Sequence, residues 1–135
     1  MAQLRNTIRI SASPEAVWKV LGDPLATPLW VPGLTSAKMD GNVRVCTAMD
    51  GNQIVEEVDY SNERRRFRYT QLKVALPVKN SRGTMAVQKE GNGSLVVWDA
   101  EFEVPDPSQE SALSQVIDGY YKQTLESLRQ RIESP

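Results

Sequence analysis

Arg44 and Glu56 are the charged residues of this chain whose types and positions best suit chemistry. Each lies in an alternating segment, VRVCTA and QIVEEV, and the turn signal DGN separates the two. If both side chains face the interior, the guanidinium fork would be partly desolvated and would orient a ligand carboxylate or carbonyl. The carboxylate would then be placed to take a proton. The structural alternative is a salt bridge that only satisfies two half-buried charges.

The turn between these segments decides which way Arg44 points. A two-residue turn at the Asp-Gly pair would place Val43 and Val45 inward and Arg44 in solvent, as hydrophobic alternation prefers. A three-residue turn at 50–52, with its glycine left-handed and a bulge, would turn Arg44 and Glu56 inward together. Both arrangements are open from these residues alone.

The composition excludes several other kinds of chemistry. Cys46 is the only cysteine and there is no histidine, which excludes an internal disulfide, a zinc site of the usual type and a Ser-His-Asp nucleophile. No cofactor is indicated. The net charge is −1, so the run ERRRFR is interpreted as a solvated sheet face and nucleic acid is not an expected partner. No stretch reaches the ~18 apolar residues of a membrane span, so we expect a cytoplasmic protein without integral membrane association.

The elements that must position Arg44 and Glu56 are mostly strands. The segment LVVWDAEFEV alternates between apolar and acidic residues, as a half-buried antiparallel strand does. Before the strands, Ser13 and Pro14 predict the start of a short helix that ends near Leu21, and a brief second helix follows. Turn signals separate the remaining strands. The predicted strands are 3–11, 34–39, 43–48, 53–60, 65–73, 80–90 and 94–104.

A long helix is predicted from about 109 to 132, capped by Asp106 or Ser108. Thr124 lies near the centre of its apolar stripe, and Gly119 in its interior suggests a close approach by another group. The apolar positions are Leu113, Val116, Ile117, Tyr120, Tyr121, Leu125, Leu128 and Ile132.

One helix about 10 Å wide cannot cover the inner face of so wide a sheet. The rest must be filled by large side chains or left as a cavity. We therefore predict an internal pocket of roughly 300 Å³ or more, the lower range of ligand sites. Its walls should include Tyr69, Trp98, Phe102 and Tyr120.

The order of these elements, with segments SPEAVWKVLGDP, WVPGL, GNVRVC, IVEEV, RRFRY, LPVKNSRGTMAV, GNGS and VVWDAEF, resembles the START-like (SRPBCC) superfamily. Within it, the chain is most similar to the polyketide cyclase/dehydrase and lipid transport family, and more distantly to plant abscisic acid receptors and the birch pollen allergen group. The resemblance implies one α+β domain over residues 1–135 with a helix-grip fold. In that fold a curved antiparallel sheet of six to seven strands wraps around the C-terminal helix, and two short helices follow the first strand.

The resemblance also implies a cavity for a small hydrophobic or amphipathic molecule, with Arg44 and Glu56 both inward. Ser81 stands where the receptors have a tyrosine, and Trp98 where they have an acidic residue. The loop AMDGNQ is too short for the receptors' flap, so a hormone-receptor role is not indicated. The alternation and the resemblance together give these ligand-contacting candidates: Arg44, Glu56, Phe67, Tyr69, Ser81, Met85, Trp98, Phe102, Val116, Tyr120 and Thr124.

Three functions remain open. The leading hypothesis is a carrier or sensor of a hydrophobic ligand, monomeric or weakly homodimeric. The second is a polyketide cyclase or aromatase type of enzyme, in which Arg44 polarises a carbonyl, Glu56 takes a proton and a tyrosine donates one. The third is a partner-binding module related to co-chaperones, which would expose an apolar patch.

Overall fold

A computed structural model describes residues 1–134 and shows seven antiparallel strands in one sheet. The strand order is β1-β7-β6-β5-β4-β3-β2, so each strand after β2 pairs with its predecessor and β7 returns to β1. A long helix, α3, packs on the inner face, and the predicted helix-grip fold is confirmed. The bounds are β1 Ala2–Ile10, α1 Pro14–Leu21, α2 Thr27–Trp30, β2 Leu34–Asp40, β3 Val43–Ala48, β4 Gln53–Ser61, β5 Arg66–Lys73, β6 Lys79–Glu90, β7 Gly93–Glu103 and α3 Glu110–Glu133.

The helix starts follow the local signals in the sequence. Ser13 caps α1, since its hydroxyl accepts a hydrogen bond from the Ala16 backbone N–H at 3.2 Å. Asp23 caps the short 3₁₀ turn before α2 in the same way, accepting from Leu25 N–H at 2.9 Å. The carboxylate of Asp106 caps the turn that leads into α3. These caps satisfy N–H groups that would otherwise lack partners at the helix starts.

Residues 49–52 connect β3 to β4, and because the Ala48 backbone N–H donates to the Asn52 carbonyl at 2.8 Å, three residues, Met49 to Gly51, form the tip of the hairpin. Gly51 has a φ of +87°, and its N–H donates to the Ala48 carbonyl at 3.0 Å. Such a loop closes with a left-handed glycine, which glycine adopts without steric cost. The loop begins one residue before the predicted one but has the same parity, so Arg44 pairs directly with Glu56. The arrangement favoured by hydrophobic alternation alone, with Arg44 in solvent, is wrong.

The buried apolar residues form two clusters beneath α3. The larger one joins the inner faces of β4 to β7 to α1 and to Leu125 and Leu128 of α3. The smaller one consists of Ala2, Phe102 and Ile117, with partly buried neighbours around them. The second half of α3 is therefore fixed by the larger cluster, and its first half rests mainly on the smaller one.

Another sequence expectation concerns Gly119 in the interior of α3. Apart from its chain neighbours and the adjacent helix backbone, a methyl group there would meet no atom of the described chain within 4 Å, so the predicted close approach at this glycine is wrong. Within residues 1–134, no helix is both long and apolar enough to cross a membrane.

Candidate functional site

A pocket of about 100 Å³ lies between the inner face of the sheet, α2 and the middle of α3. The predicted volume of 300 Å³ or more is therefore wrong. Trp98 and Tyr121 stack with their ring centroids 3.9 Å apart, and these rings occupy much of the space that the helix leaves uncovered. The pocket is lined by Thr27, Trp30, Val31, Leu34, Arg44, Cys46, Ile54, Glu56, Phe67, Tyr69, Gln71, Met85, Trp98, Tyr120 and Tyr121.

Arg44 and Glu56 form an ion pair in the wall of the pocket. The Arg44 Nη2 and Glu56 Oε1 atoms are 2.8 Å apart, and the residues are only 4% and 7% exposed. The other terminal nitrogen, Nη1, donates to the hydroxyls of Thr27 at 2.9 Å and Tyr60 at 2.8 Å. The guanidinium therefore joins β3 to α2 and β4, which makes it a structural centre as well as a pocket wall.

The second oxygen of Glu56 is also occupied. Gln71 Nε2 donates to Glu56 Oε2 at 3.1 Å, and Ser81 Oγ donates to Gln71 Oε1 at 2.6 Å. The chain of hydrogen bonds thus runs across β3, β4, β5 and β6. Because both carboxylate oxygens already accept, Glu56 is poorly placed to serve as a general base.

The ionisation of the network follows from burial and its one ion pair. Burial is the largest single influence on the pKa of Arg44 and lowers it, but the charge and hydrogen bond of Glu56, together with Tyr60 and Cys46, outweigh burial and the pKa lies above its ordinary value. Burial raises the pKa of Tyr60 to about 12, although the Arg44 charge opposes this. Burial also raises the pKa of the Cys46 thiol. The thiol therefore remains protonated at neutral pH and is a poor nucleophile.

Two buried donors in side chains that line the pocket lack acceptors. They are Arg44 Nε and the indole Nε1 of Trp30, neither of which has a hydrogen-bond partner within residues 1–134. A buried donor without a partner costs about 1–3 kcal/mol. Among the described residues, these two donors therefore keep an unused capacity for a hydrogen bond.

Two aromatic side chains of the pocket wall, Tyr69 and Trp98, are held in place by specific contacts. Trp98 Nε1 donates to the Tyr69 hydroxyl at 2.9 Å. Tyr69 lies over Gly83 on the neighbouring strand, where a Cβ atom would be 2.3 Å from the phenol oxygen. Burial holds the pKa of Tyr69 well above its ordinary value, so this phenol is neutral and available only as a hydrogen-bonding group.

Seven of the eleven predicted ligand-contacting residues line this pocket: Arg44, Glu56, Phe67, Tyr69, Met85, Trp98 and Tyr120. Ser81 faces inward but reaches the pocket only through Gln71. Their position in the pocket wall is observed, whereas their role in binding stays a prediction.

The other three predicted residues lie elsewhere. Phe102 is inward but belongs to the smaller cluster, because β7 carries it beyond the pocket. Val116 is 64% exposed. Thr124 is fully buried, yet its hydroxyl donates to the Tyr120 carbonyl at 2.8 Å within α3. Of the three predicted ligand-contacting residues on α3 only Tyr120 lines the pocket, although the helix buries Ile117, Thr124, Leu125 and Leu128, which all lie within the predicted stripe.

Sequence reasoning also missed several wall residues. Tyr121 belongs to the inward row because it lies four positions from both Ile117 and Leu125, a spacing that the apolar pattern contained. Thr27 and Trp30 come from α2, which is too short to show a period. Nothing in the local sequence indicates that this turn folds back over the sheet.

The fold and family resemblance are supported by known proteins. The family described as polyketide cyclase / dehydrase and lipid transport matches residues 1–133. The protein XoxI from Bacillus cereus is 28% identical, with a TM-score of 0.87 over 99% of this chain and 97% of its own. No curated protein matches the chain.

Two more distant structures share the fold. A START superfamily protein from Mycobacterium smegmatis is 15% identical, with a TM-score of 0.83 over 97% of each chain. The di-domain ARO/CYC BexL from the BE-7585A biosynthetic pathway is 17% identical, with a TM-score of 0.87 over all of this chain and 48% of its own. At these identities the likeness is one of architecture.

Proposed function

The chain belongs to the polyketide cyclase/dehydrase and lipid transport family, and on that premise we propose that it binds a small hydrophobic or amphipathic molecule in the pocket beneath α3. The observation that carries the proposal is the construction of the pocket. Aromatic and other apolar side chains form most of its wall, and the few polar groups are joined by hydrogen bonds into one network, which is the usual composition of a ligand site. Residues 1–135 would act as a single binding domain.

A purely structural role for this interior is less well supported. A solid core would be expected to pair its buried donors, whereas Arg44 Nε and Trp30 Nε1 have no acceptor within residues 1–134. A cyclase-type reaction in the same pocket is also less supported, because both oxygens of Glu56 are engaged.

Two phenylalanines provide a matched test of the pocket. Phe67 lines it and Phe102 does not, yet they are 2% and 1% exposed and both face inward. Phe67→Leu and Phe102→Leu should therefore cost comparable stability, about 1–3 kcal/mol, but only Phe67→Leu should change ligand affinity.

The ligand for this test would first be sought by native mass spectrometry of protein purified from its own organism, with titration of small cyclic molecules as a second source. Equal effects of the two substitutions on affinity, or no binding of any small molecule at millimolar concentration, would reject the proposal.

A further inference from the structure

We infer that the pocket selects a neutral ring-sized group carrying an acceptor oxygen, and that Trp30 is a hydrogen-bond donor to that oxygen. This inference rests on the proposed function and adds the class of ligand and the residue that recognises it. It draws on the size of the pocket, the charge balance of its wall and the two buried donors.

Size limits the group that enters. The pocket measures about 100 Å³, and a protein cavity of about 150 Å³ is enough to hold benzene. The pocket is smaller than that cavity, so the group buried here is at most one small ring, either a whole ligand or the end of a longer one, and the wall must expand slightly to admit it. The rings of Phe67, Tyr69 and Trp98 provide flat apolar surfaces against which a ring packs.

The charge balance favours a neutral group. The only cation among the described residues of the wall is Arg44, and Glu56 already pairs with it at 2.8 Å. A carboxylate brought into this pocket would add a second negative charge without a second cation. Buried charges that lack a partner are strongly disfavoured.

The unpaired donors favour an acceptor oxygen. Trp30 is 4% exposed and its Nε1–H has no acceptor within residues 1–134. The other two tryptophans differ, because Trp18 donates to Asn62 Oδ1 and Trp98 to the Tyr69 hydroxyl, both at 2.9 Å. Trp30 is thus the indole that remains free to bind a ligand. Arg44 Nε is the second such donor in the wall.

Two ligands that differ in one group test the role of the oxygen. Cyclohexanone carries an acceptor oxygen, and methylenecyclohexane replaces that oxygen with a CH₂ group of similar size. In titrations of the intact chain we expect cyclohexanone to bind about tenfold more tightly, the affinity equivalent of one hydrogen bond. Trp30→Phe should abolish this difference, whereas Trp18→Phe, which changes an indole outside the pocket, should preserve it.

If Trp30→Phe fails to fold, proton NMR of the unmodified protein tests the same hydrogen bond. On adding cyclohexanone, the indole N–H proton of Trp30 should shift downfield, while that of Trp18, which lies outside the pocket, serves as the internal control. Methylenecyclohexane should leave the Trp30 proton without that shift. An unchanged Trp30 resonance at saturating cyclohexanone would overturn its assignment as a donor.

Cyclopentanecarboxylate, an anion of similar size, tests neutrality. It should bind at least tenfold more weakly than cyclohexanone, and tighter binding would overturn the charge argument. Equal binding of the ketone and the hydrocarbon would reject the acceptor-oxygen inference and leave the proposed function intact. Failure of all three to bind would overturn the inference about the ligand class, whereas the proposed function is rejected only if native mass spectrometry and the wider titration also find no ligand.

Discussion

Arg44 owes its buried position to three partners on two other elements. Its two terminal nitrogens donate hydrogen bonds to Thr27 of α2 and to both Tyr60 and Glu56 of β4. Each of these partners would lose a hydrogen bond if the arginine were removed, and Glu56 would also lose its ion pair. The residue therefore couples the short helix α2 to the sheet, and the geometry of the pocket depends on a charge that the fold must keep paired.

The pair should show the energetics of mutually dependent buried charges. Arg44→Met or Glu56→Gln would leave one partner buried without its counterpart, and each should lower the free energy of unfolding by about 3 kcal/mol. The double variant should recover part of that loss, because most of the cost comes from the stranded partner. Urea unfolding of the single and double variants measures the coupling.

A surface pair provides the control for this cycle. Arg5 and Asp99 form two hydrogen bonds on the solvent face of β1 and β7, and their side chains are largely exposed. Exposed ion pairs contribute little, so Arg5→Met should change stability far less than Arg44→Met. Strict additivity of Arg44→Met and Glu56→Gln would show that the buried groups do not depend on one another.

Tyr60 should make the protein less stable in alkali. Its pKa is raised from 10.0 to about 12 in the folded chain, so the unfolded chain loses this proton first. The resulting stability is present below pH 10 and is lost as pH rises from 10 to 12, by about 2 kcal/mol. In urea titrations, Tyr60→Phe should decline less steeply over that window. Identical slopes would contradict the assignment, although Tyr69 and Tyr121, whose pKa values are also raised, add to the decline in both proteins.

At the scale of elements, the strands and helices were predictable because turn residues and periodicity are local. The β3–β4 hairpin shows the limit of local reasoning. Hydrophobicity placed Val43 and Val45 inward, while the loop with Gly51 set the opposite parity. The resemblance gave the correct arrangement, since the energy of burying Arg44 is compensated by residues distant in sequence. Such compensation leaves no trace in a local window.

Two glycines should respond oppositely to the same substitution. In Gly83→Ala the new Cβ would be 2.3 Å from the Tyr69 phenol oxygen, so the phenol must move and its contact with Trp98 would be disturbed. A loss of about 1–3 kcal/mol is expected from such overpacking. In Gly119→Ala the methyl group meets open space at an exposed position of α3, so the free energy of unfolding should rise by about 1 kcal/mol.

Thermal unfolding of both variants measures this contrast, and near-ultraviolet circular dichroism reports the Trp98 environment in Gly83→Ala. A stability of Gly83→Ala equal to that of the parent would show that Tyr69 does not need the space above this glycine. A destabilised Gly119→Ala would show that the middle of α3 has a constraint outside the contacts seen here.

At the scale of the whole molecule, the volume of the pocket was the property least accessible from sequence. One helix does leave part of the inner face of the sheet uncovered, as its width requires. The width of the helix does not reveal that the rings of Trp98 and Tyr121 stack in the uncovered space. Which large side chains fill a space depends on the combined packing of several elements, so the fold was predictable while the remaining volume was not.

The small size of the pocket implies that one end of the molecule must open to admit a ligand. The first half of α3 buries Ile117, whereas the second half buries Thr124, Leu125 and Leu128. Near the middle, the Tyr120 hydroxyl is 3.4 Å from the Pro32 carbonyl, a long hydrogen bond to the segment between α2 and β2. Segments with few buried contacts open more readily than the rest of a structure.

Native-state hydrogen exchange should therefore divide α3 into two parts. We expect the amides of residues 114–119 to exchange faster than those of 124–130, because the first group can open without disturbing the larger core cluster. Saturating cyclohexanone should slow exchange in the first group, because Tyr120 and Tyr121 directly follow that group and line the pocket. Exchange in the second group should change much less. Uniform exchange along α3 would show that the helix opens as one unit. The ligand would then have to enter elsewhere, between α2 and the ends of β2 and β3.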